Sequence, residues 1–340
     1  MRIVDFHNHY YPPVYLEALR SGSSAVEVTI DDEGNPRIYY PGDYNIAVPG
    51  HRDIDYRERV LIEHGVDTQV LTLTTPGTHV ETPATAVRFA AMVNDAFAAV
   101  AQSKRGRFTA LATLPLNDPA AAVKELERAC RELGFRGAML FSNVNGVGLN
   151  DQRFWPLYEA ADHLGAVLYI HPTNPVGVEA MTDFWLMPLV GFLMDTTLAA
   201  AKLVFAGVAE RFPRIQWALC HLGGAIPYLA ERLDRGFYAF SECRANIPRP
   251  PSDYLKRFYY DTAQASHPFA MASIKQLVAV SQLLYGTDFL YRNNEEHLIG
   301  LRKCGFTEAD LRAIESENAQ RLLPRWKQSA ALEGLPLAAS

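Results

Sequence analysis

Two histidines one residue apart, His7 and His9, stand in the segment DFHNH directly after the apolar run MRIV. On an extended strand the side chains alternate. Both imidazoles therefore leave one face, on the order of 7 Å apart along the backbone, within reach of a single metal ion. Taken alone, such a pair reads as well as two partly exposed histidines at a strand end. Three further ligand-type residues close other extended-looking segments: His171 ends AVLYIH, His221 ends IQWALCH and Asp288 ends QLLYGTD. A lone histidine of this kind is often a hydrogen-bonded core residue, but five such residues at strand ends point to one site. Three imidazoles and one carboxylate suit a borderline divalent ion such as Zn2+, at about 2.0–2.1 Å with a position open for water. A cation held this way acidifies bound water, and a neighbouring histidine or carboxylate (His221 or Asp288) can accept or return a proton.

For these residues to meet, the strands that carry them must converge. Eight short β-branched or aromatic runs lie at 2–7, 68–74, 108–114, 136–141, 166–171, 215–221, 258–263 and 282–288. Ala- and Leu-rich stretches with helical i, i+3, i+4 spacing separate them. Gly134 and Gly165 follow two of these helices as C-cap residues, and Pro213 stops another. The alternation predicts an α/β fold, a parallel (β/α)8 TIM barrel, in which the carboxyl ends of all strands share the face where active sites sit. An open doubly wound sheet is the alternative, but no GxGxxG turn follows the first strand.

Residues 22–56 break the rhythm, and VEVTI-DDEGN-PRIYY within them reads as a hairpin. They are predicted to form a small β insertion after strand 1, near the barrel mouth. The expected organisation is one metal-dependent barrel domain over 1–326, insertion 22–56 included, and a C-terminal tail at 327–340 with little to pack against.

Composition narrows the partners. The 340 residues carry 32 basic and 38 acidic side chains, a net charge of −6 with no basic stripe, which argues against a nucleic-acid partner. The apolar run FWLMPLVGFLM stops at Asp195, too short to cross a bilayer, and MRIVDFHNH lacks the apolar core of a secretory signal. Cys130, Cys220, Cys243 and Cys304 form no CxxC pair, so they read as small buried hydrophobes in a reducing, cytoplasmic compartment.

In this order, DFHNH, YIHP, CHLGGAIPYLAERLDRGF and YGTDF resemble the amidohydrolase superfamily, and more closely the aminocarboxymuconate-semialdehyde decarboxylase family. The likeness covers roughly residues 1–12 and 55–325 and takes in RFTALATLPLNDPAAAVKELERACRELGFRGAML. It implies that His7, His9, His171 and Asp288 hold one metal ion, zinc with manganese as runner-up, and that His221 is the acid/base residue. Binuclear members of the superfamily carry a strand-4 lysine; RGAMLFSNVNG has none at its end, which points to a single ion.

The resemblance further implies a homodimer, an anionic small-molecule substrate and arginines for its carboxylate. Candidates here are Arg52 from the insertion, which also offers Arg37, together with Arg292 near Asp288 and Arg244 near Phe240, where a partner's arginine would be expected. The implied reaction is decarboxylation of an aromatic or conjugated hydroxy or oxo acid. Metal-dependent hydrolysis of an amide, ester or lactone is the alternative, with hydration a further one. A non-catalytic barrel would have no need of an open metal position. Among the other histidines, His64 and His163 read as helix-end residues and His297 as a surface helix residue. His51, His79 and His267 lie where they could reach the mouth.

Overall fold

The computed structural model describes residues 2–22, 24–40 and 43–323, so the tail expected at 327–340 lies outside the described residues. Eight parallel strands form the frame: β1 (Val4–Asp5), β2 (Thr68–Leu71), β3 (Phe108–Ala110), β4 (Gly137–Phe141), β5 (Val167–His171), β6 (Gln216–Leu219), β7 (Tyr259–Asp261) and β8 (Leu283–Leu284). Ladders join β1 to β2 to β3, and β4 through β8 in chain order. Two seams complete the ring. The bridge Ala112–Ala138 links β3 to β4. Between β8 and β1, Phe6 N–H donates to Tyr285 O at 2.8 Å, Asp288 N–H donates to His7 O at 2.9 Å, and Asn8 bridges Phe289. The sheet is thus a closed barrel.

Alternation along β5 shows how sequence becomes packing. Val167 and Tyr169 turn into the barrel with Phe6, Val70, Met139 and Ala218. Leu168 and Ile170 turn outward onto a layer containing Leu157, Ala161 and Leu203 of the surrounding helices. Burying each of these large side chains contributes about 1.5–3 kcal/mol. His171 shares the parity of Val167 and Tyr169 and so arrives inside the rim.

A helix follows each strand's connection, beginning with Ile54–Glu63 after the insertion and ending with Asn294–Arg302. Thr82, Asp118 and Asn293 cap three of them by accepting from backbone N–H groups. The helix expected after β5 is split, because Gly207 adopts φ 77° between Phe192–Phe205 and Val208–Arg211. Two helices, Pro83–Ser103 and Met187–Phe205, are long and apolar enough to span a bilayer by length and composition. Both pack one side against the barrel, through Phe89, Val93, Leu203 and Val204 among others.

The predicted insertion is present as an antiparallel sheet of three strands rather than a bare hairpin: Val28–Ile30, Pro36–Tyr40 and Asp43–Ile46. Asn45 anchors it to the rim, its Nδ2 donating to Tyr11 Oη at 2.9 Å and to Thr75 Oγ1 at 2.9 Å.

His297 departs from its expected surface position. It is fully buried, with Nε2 2.9 Å from Thr262 Oγ1 and its ring edge-on to Tyr285. Burial, reinforced by the Arg292 guanidinium, pushes its pKa down to about 3 from the usual 6.5. The folded state therefore refuses a proton that the unfolded chain accepts. His297 supplies stability above about pH 6.5, and acidification toward pH 3 removes it at about 1.4 kcal/mol per pH unit. Between pH 7 and 5 the thermal midpoint of the protein should fall further than that of a His297→Gln variant. Parallel calorimetric melts check this, and equal falls would refute it.

Candidate metal centre

His7, His9, His171, His221 and Asp288 do converge, at the carboxyl-end mouth of the barrel, and all five are buried. Only His171 lies within a regular strand. The β1 ladder ends at Asp5 and pairing resumes as single bridges at Asn8 and His9, so the histidine pair sits just beyond the strand expected to carry it. His221 follows β6 and Asp288 follows β8, and both hold left-handed backbone, φ 49° and 64°. Such conformations cost on the order of 1–3 kcal/mol and persist where surrounding contacts enforce them.

The ring nitrogens are sorted by their partners. His7 Nδ1 lies 2.9 Å from Asp261 Oδ2, to which it donates, and His171 Nδ1 lies 2.7 Å from Pro172 O. Each leaves the Nε2 lone pair aimed inward, the arrangement of a ligating histidine with its outer support. His7 Nε2 and His9 Nε2 approach to 3.3 Å, and Asp288 Oδ1 lies 3.4 and 3.2 Å from them. Donors about 2.1 Å from one central ion sit roughly 3–3.5 Å apart, so these separations fit a shared cation. Two overlapping triads bring their ligand atoms within 4.8 Å of one another, His7–His9–His171 and His7–His221–Asp288.

The electrostatics agree. Burial pushes His9 down to about 4 and takes His171 well below its usual range, keeping both neutral as ligands must be. Burial also opposes a charge on His7, yet Asp261 and Asp288 outweigh it and raise the group to about 10. Burial works against the Asp288 charge too, but the surrounding imidazoles, His7 foremost, hold its pKa well below the carboxylate range. The field that favours a proton on His7 would favour a dication there.

Asp261, on β7, was not anticipated from the sequence. Besides His7 it accepts from Tyr169 Oη at 2.5 Å, from His221 N–H at 3.0 Å and from Ala263 N–H at 2.9 Å. The one available signal was a carboxylate near the end of the strand FYYDTA. Gly286 in YGTD has a packing reason, because a Cβ there would stand 2.7 Å from His7 Cβ.

A cavity of about 620 Å³ opens on the cluster, lined by His9, His171, His221, Gln264, Asp288 and Tyr291 on the metal side. Trp185, Leu189, Phe192 and Leu193 add apolar walls. Its size and apolar walls suit a small organic molecule. No arginine or lysine lines it among the described residues, which corrects the expectation that Arg52 and Arg292 would face the cavity of their own chain. Arg52 spends its guanidinium on Ala47 O at 2.9 Å and Asn35 Oδ1 at 3.2 Å. Arg292 is absent from that lining as well. Arg244 lies exposed on the outside, donating to Phe237 O and Tyr238 O, and so does not reach the cavity of its own chain. His51 is buried behind Tyr291, His79 packs on Phe141, and His267 caps the helix Pro268–Leu277; none lines the cavity.

A closed barrel with imidazoles and a carboxylate converging at its carboxyl-end mouth defines a metal-dependent barrel enzyme. The chain belongs to the amidohydrolase family, whose profile matches residues 4–325. It is 33% identical over 239 residues to 2-amino-3-carboxymuconate-6-semialdehyde decarboxylase of Dictyostelium discoideum, covering 70% of this chain and 66%, just under two thirds, of that protein. It is 30% identical over 339 residues to 6-methylsalicylic acid decarboxylase of Penicillium expansum, covering 96% and 98%. The dihydroxybenzoic acid decarboxylase of Polaromonas sp. JS666, solved with bound manganese and 2-nitroresorcinol, superposes with TM-score 0.80 at 26% identity, covering 95% of this chain and 97% of that one. Decarboxylation, rather than hydrolysis or hydration, is the chemistry these relatives support.

Proposed function

We propose that this chain is a metal-dependent carboxy-lyase that releases CO2 from a small aromatic acid bearing a hydroxyl or oxo group beside the carboxylate. The observation that carries the reading is the His221–Asp288 pair, Nε2 to Oδ2 3.4 Å, opening with the convergent imidazoles onto an aromatic-walled cavity. His7, His9, His171 and Asp288 would hold one divalent ion. Their donor set favours zinc, and the manganese in a solved relative makes Mn2+ the competitor that elemental analysis decides. When bound, the cation would supply Lewis acidity to the oxygen beside the departing carboxylate and help fix its orientation.

The protein's own groups do the rest. Trp185, Phe192 and Tyr291 line the cavity and offer aromatic faces to the ring. A proton passes from the His221 Nε2–Asp288 Oδ2 pair to the ring carbon bearing the carboxylate. The bond from that carbon to the carboxylate then breaks, its electron pair restores the ring, and CO2 leaves. In D2O the product should carry one deuterium at the carbon that lost CO2. Incorporation of ¹⁸O from labelled water into a new acid or alcohol, without CO2, would overturn the reading in favour of hydrolysis.

The exposed side chains Val190, Met194 and Leu198 recur at one-turn spacing on the helix after β5, with Leu189 and Trp185 beside them. An apolar stripe of this extent supports a homodimer, and Arg244, outside its own cavity, could serve only across such an interface. A monomer by light scattering at micromolar concentration would remove both ideas. The four scattered cysteines, with no CxxC pair, fit a reducing, cytoplasmic setting.

A further inference from the structure

The cavity has a second charged wall, away from the metal cluster. Asp43, on the insertion strand Asp43–Ile46, lines it, held by Tyr44 N–H donating to Oδ1 at 2.7 Å and Tyr40 Oη donating to Oδ2 at 3.4 Å. Burial raises the Asp43 pKa, and these two hydrogen bonds pull it back. Its distance from the metal side follows from the strand. Asn45 Oδ1 accepts from Tyr291 Oη at 2.9 Å, and the Tyr291 ring lies 6.4 Å from that of His9. Asp43, two residues along the same strand face, stands about 7 Å along the strand from Asn45. Asp43 and the cluster are thus separated across the cavity by the Tyr291–Asn45 contact and line the same space.

Because the cluster and Asp43 line one cavity, a ring acid whose departing carboxylate lies at the cluster turns its far edge toward the rest of that lining, Asp43 included. No cation among the described lining residues neutralises that carboxylate. We infer that Asp43 is a specificity-determining residue that admits monoacids with a neutral or hydrogen-bond-donating far edge and rejects diacids. The inference rests on the aromatic-acid reading above and narrows it. A second carboxylate at the far edge would meet a like charge in a partly desolvated cavity, where the repulsion is worth at least about tenfold in affinity. A hydroxyl or amide N–H there would instead find an acceptor.

The test compares 4-hydroxy-3-nitrobenzamide with 4-hydroxy-3-nitrobenzoate on protein loaded with one Mn2+ per chain, by titration calorimetry. The nitro group stands for a carboxylate that cannot leave, and the two probes differ at the far edge by one charge. The amide should bind at least about tenfold more tightly. Raising the salt concentration should narrow that gap through screening, and Asp43→Asn should narrow it by improving the acid. Equal affinities, or a tighter acid, would overturn the inference and leave the aromatic-acid reading standing. If neither probe bound, both would fall. The wild-type ratio and its salt dependence decide the matter even if the variant does not fold.

Discussion

Replacing His221 by alanine should leave one divalent ion per chain while lowering turnover by about 10²–10⁴-fold, the usual contribution of a positioned acid or base. The geometry makes this a sharp test, because His221 belongs to one of the two triads that could hold the ion. Its outer nitrogen separates it from the ligand candidates. His7 Nδ1 and His171 Nδ1 are each tied to an oxygen that fixes the ring, whereas His221 Nδ1 is buried with no partner among the described residues. What positions His221 is its backbone, whose N–H donates to Asp261. A residue placed by its main chain, with Nε2 beside Asp288 and a free second nitrogen, is built to exchange a proton rather than to grip a cation. His171→Ala should do the reverse and lose metal first. Elemental analysis of both purified variants, with turnover measured beside it, checks the assignment. Metal lost from the His221 variant and kept in the His171 variant would exchange the two roles.

Replacing Arg57 by methionine should cost about 3–5 kcal/mol of stability, because several buried carbonyl acceptors, at about 1–3 kcal/mol each, lose their donor. Arg57 is fully buried beneath the site. Its Nε donates to Gly50 O at 2.8 Å, and its Nη1 to Asn8 Oδ1 at 2.8 Å and Gln69 Oε1 at 3.0 Å. Its Nη2 donates to His9 O, so one guanidinium holds the backbone of the histidine pair and the insertion boundary together. The rings of Tyr10 and Phe289 enclose the guanidinium, and burial pushes its pKa down to about 9. Methionine fills the volume but abandons four acceptors. Lysine keeps a charge without the planar fork and should recover only part of the loss. Denaturant melts of the metal-free proteins measure this directly, and a loss below about 1 kcal/mol would show that the network is not cooperative.

Much of this site is legible in the sequence, for a reason tied to barrel geometry. Strand runs such as AVLYIH and IQWALCH advertise themselves by β-branched and aromatic content, and in a barrel the end of every strand leads to one place. What the residues do not disclose is how side chains choose partners across the fold. Asp261 looks like the ordinary end of FYYDTA, since its bond to His7 joins residues 254 positions apart. The arginines mislead because charge alone does not say where a long side chain will settle. Arg52 and Arg244 find nearby backbone carbonyls instead of the cavity. His297 is readable with closer attention, because Asn294, His297 and Leu301 are the buried positions of NEEHLIGLR and mark its inner face. The strands are shorter than their apolar runs, as Phe6–His7 and the residues after Leu219 and Leu284 leave the ladder to shape the rim.

The seam between β1 and β8 has a consequence for how the enzyme is made. Asp288 N–H bonds His7 O, so the barrel closes through two of the residues that would take the cation. A growing chain that has emerged through His171 already has three of the imidazoles but neither the carboxylate nor the closing contact. Its earliest ligands must wait for some of its latest. Closure is a contact of very long sequence separation, the kind that forms late and limits folding rate. A full-affinity metal centre would therefore form only once Asp288 has been made, and an ion bound there would fasten the first strand to the last.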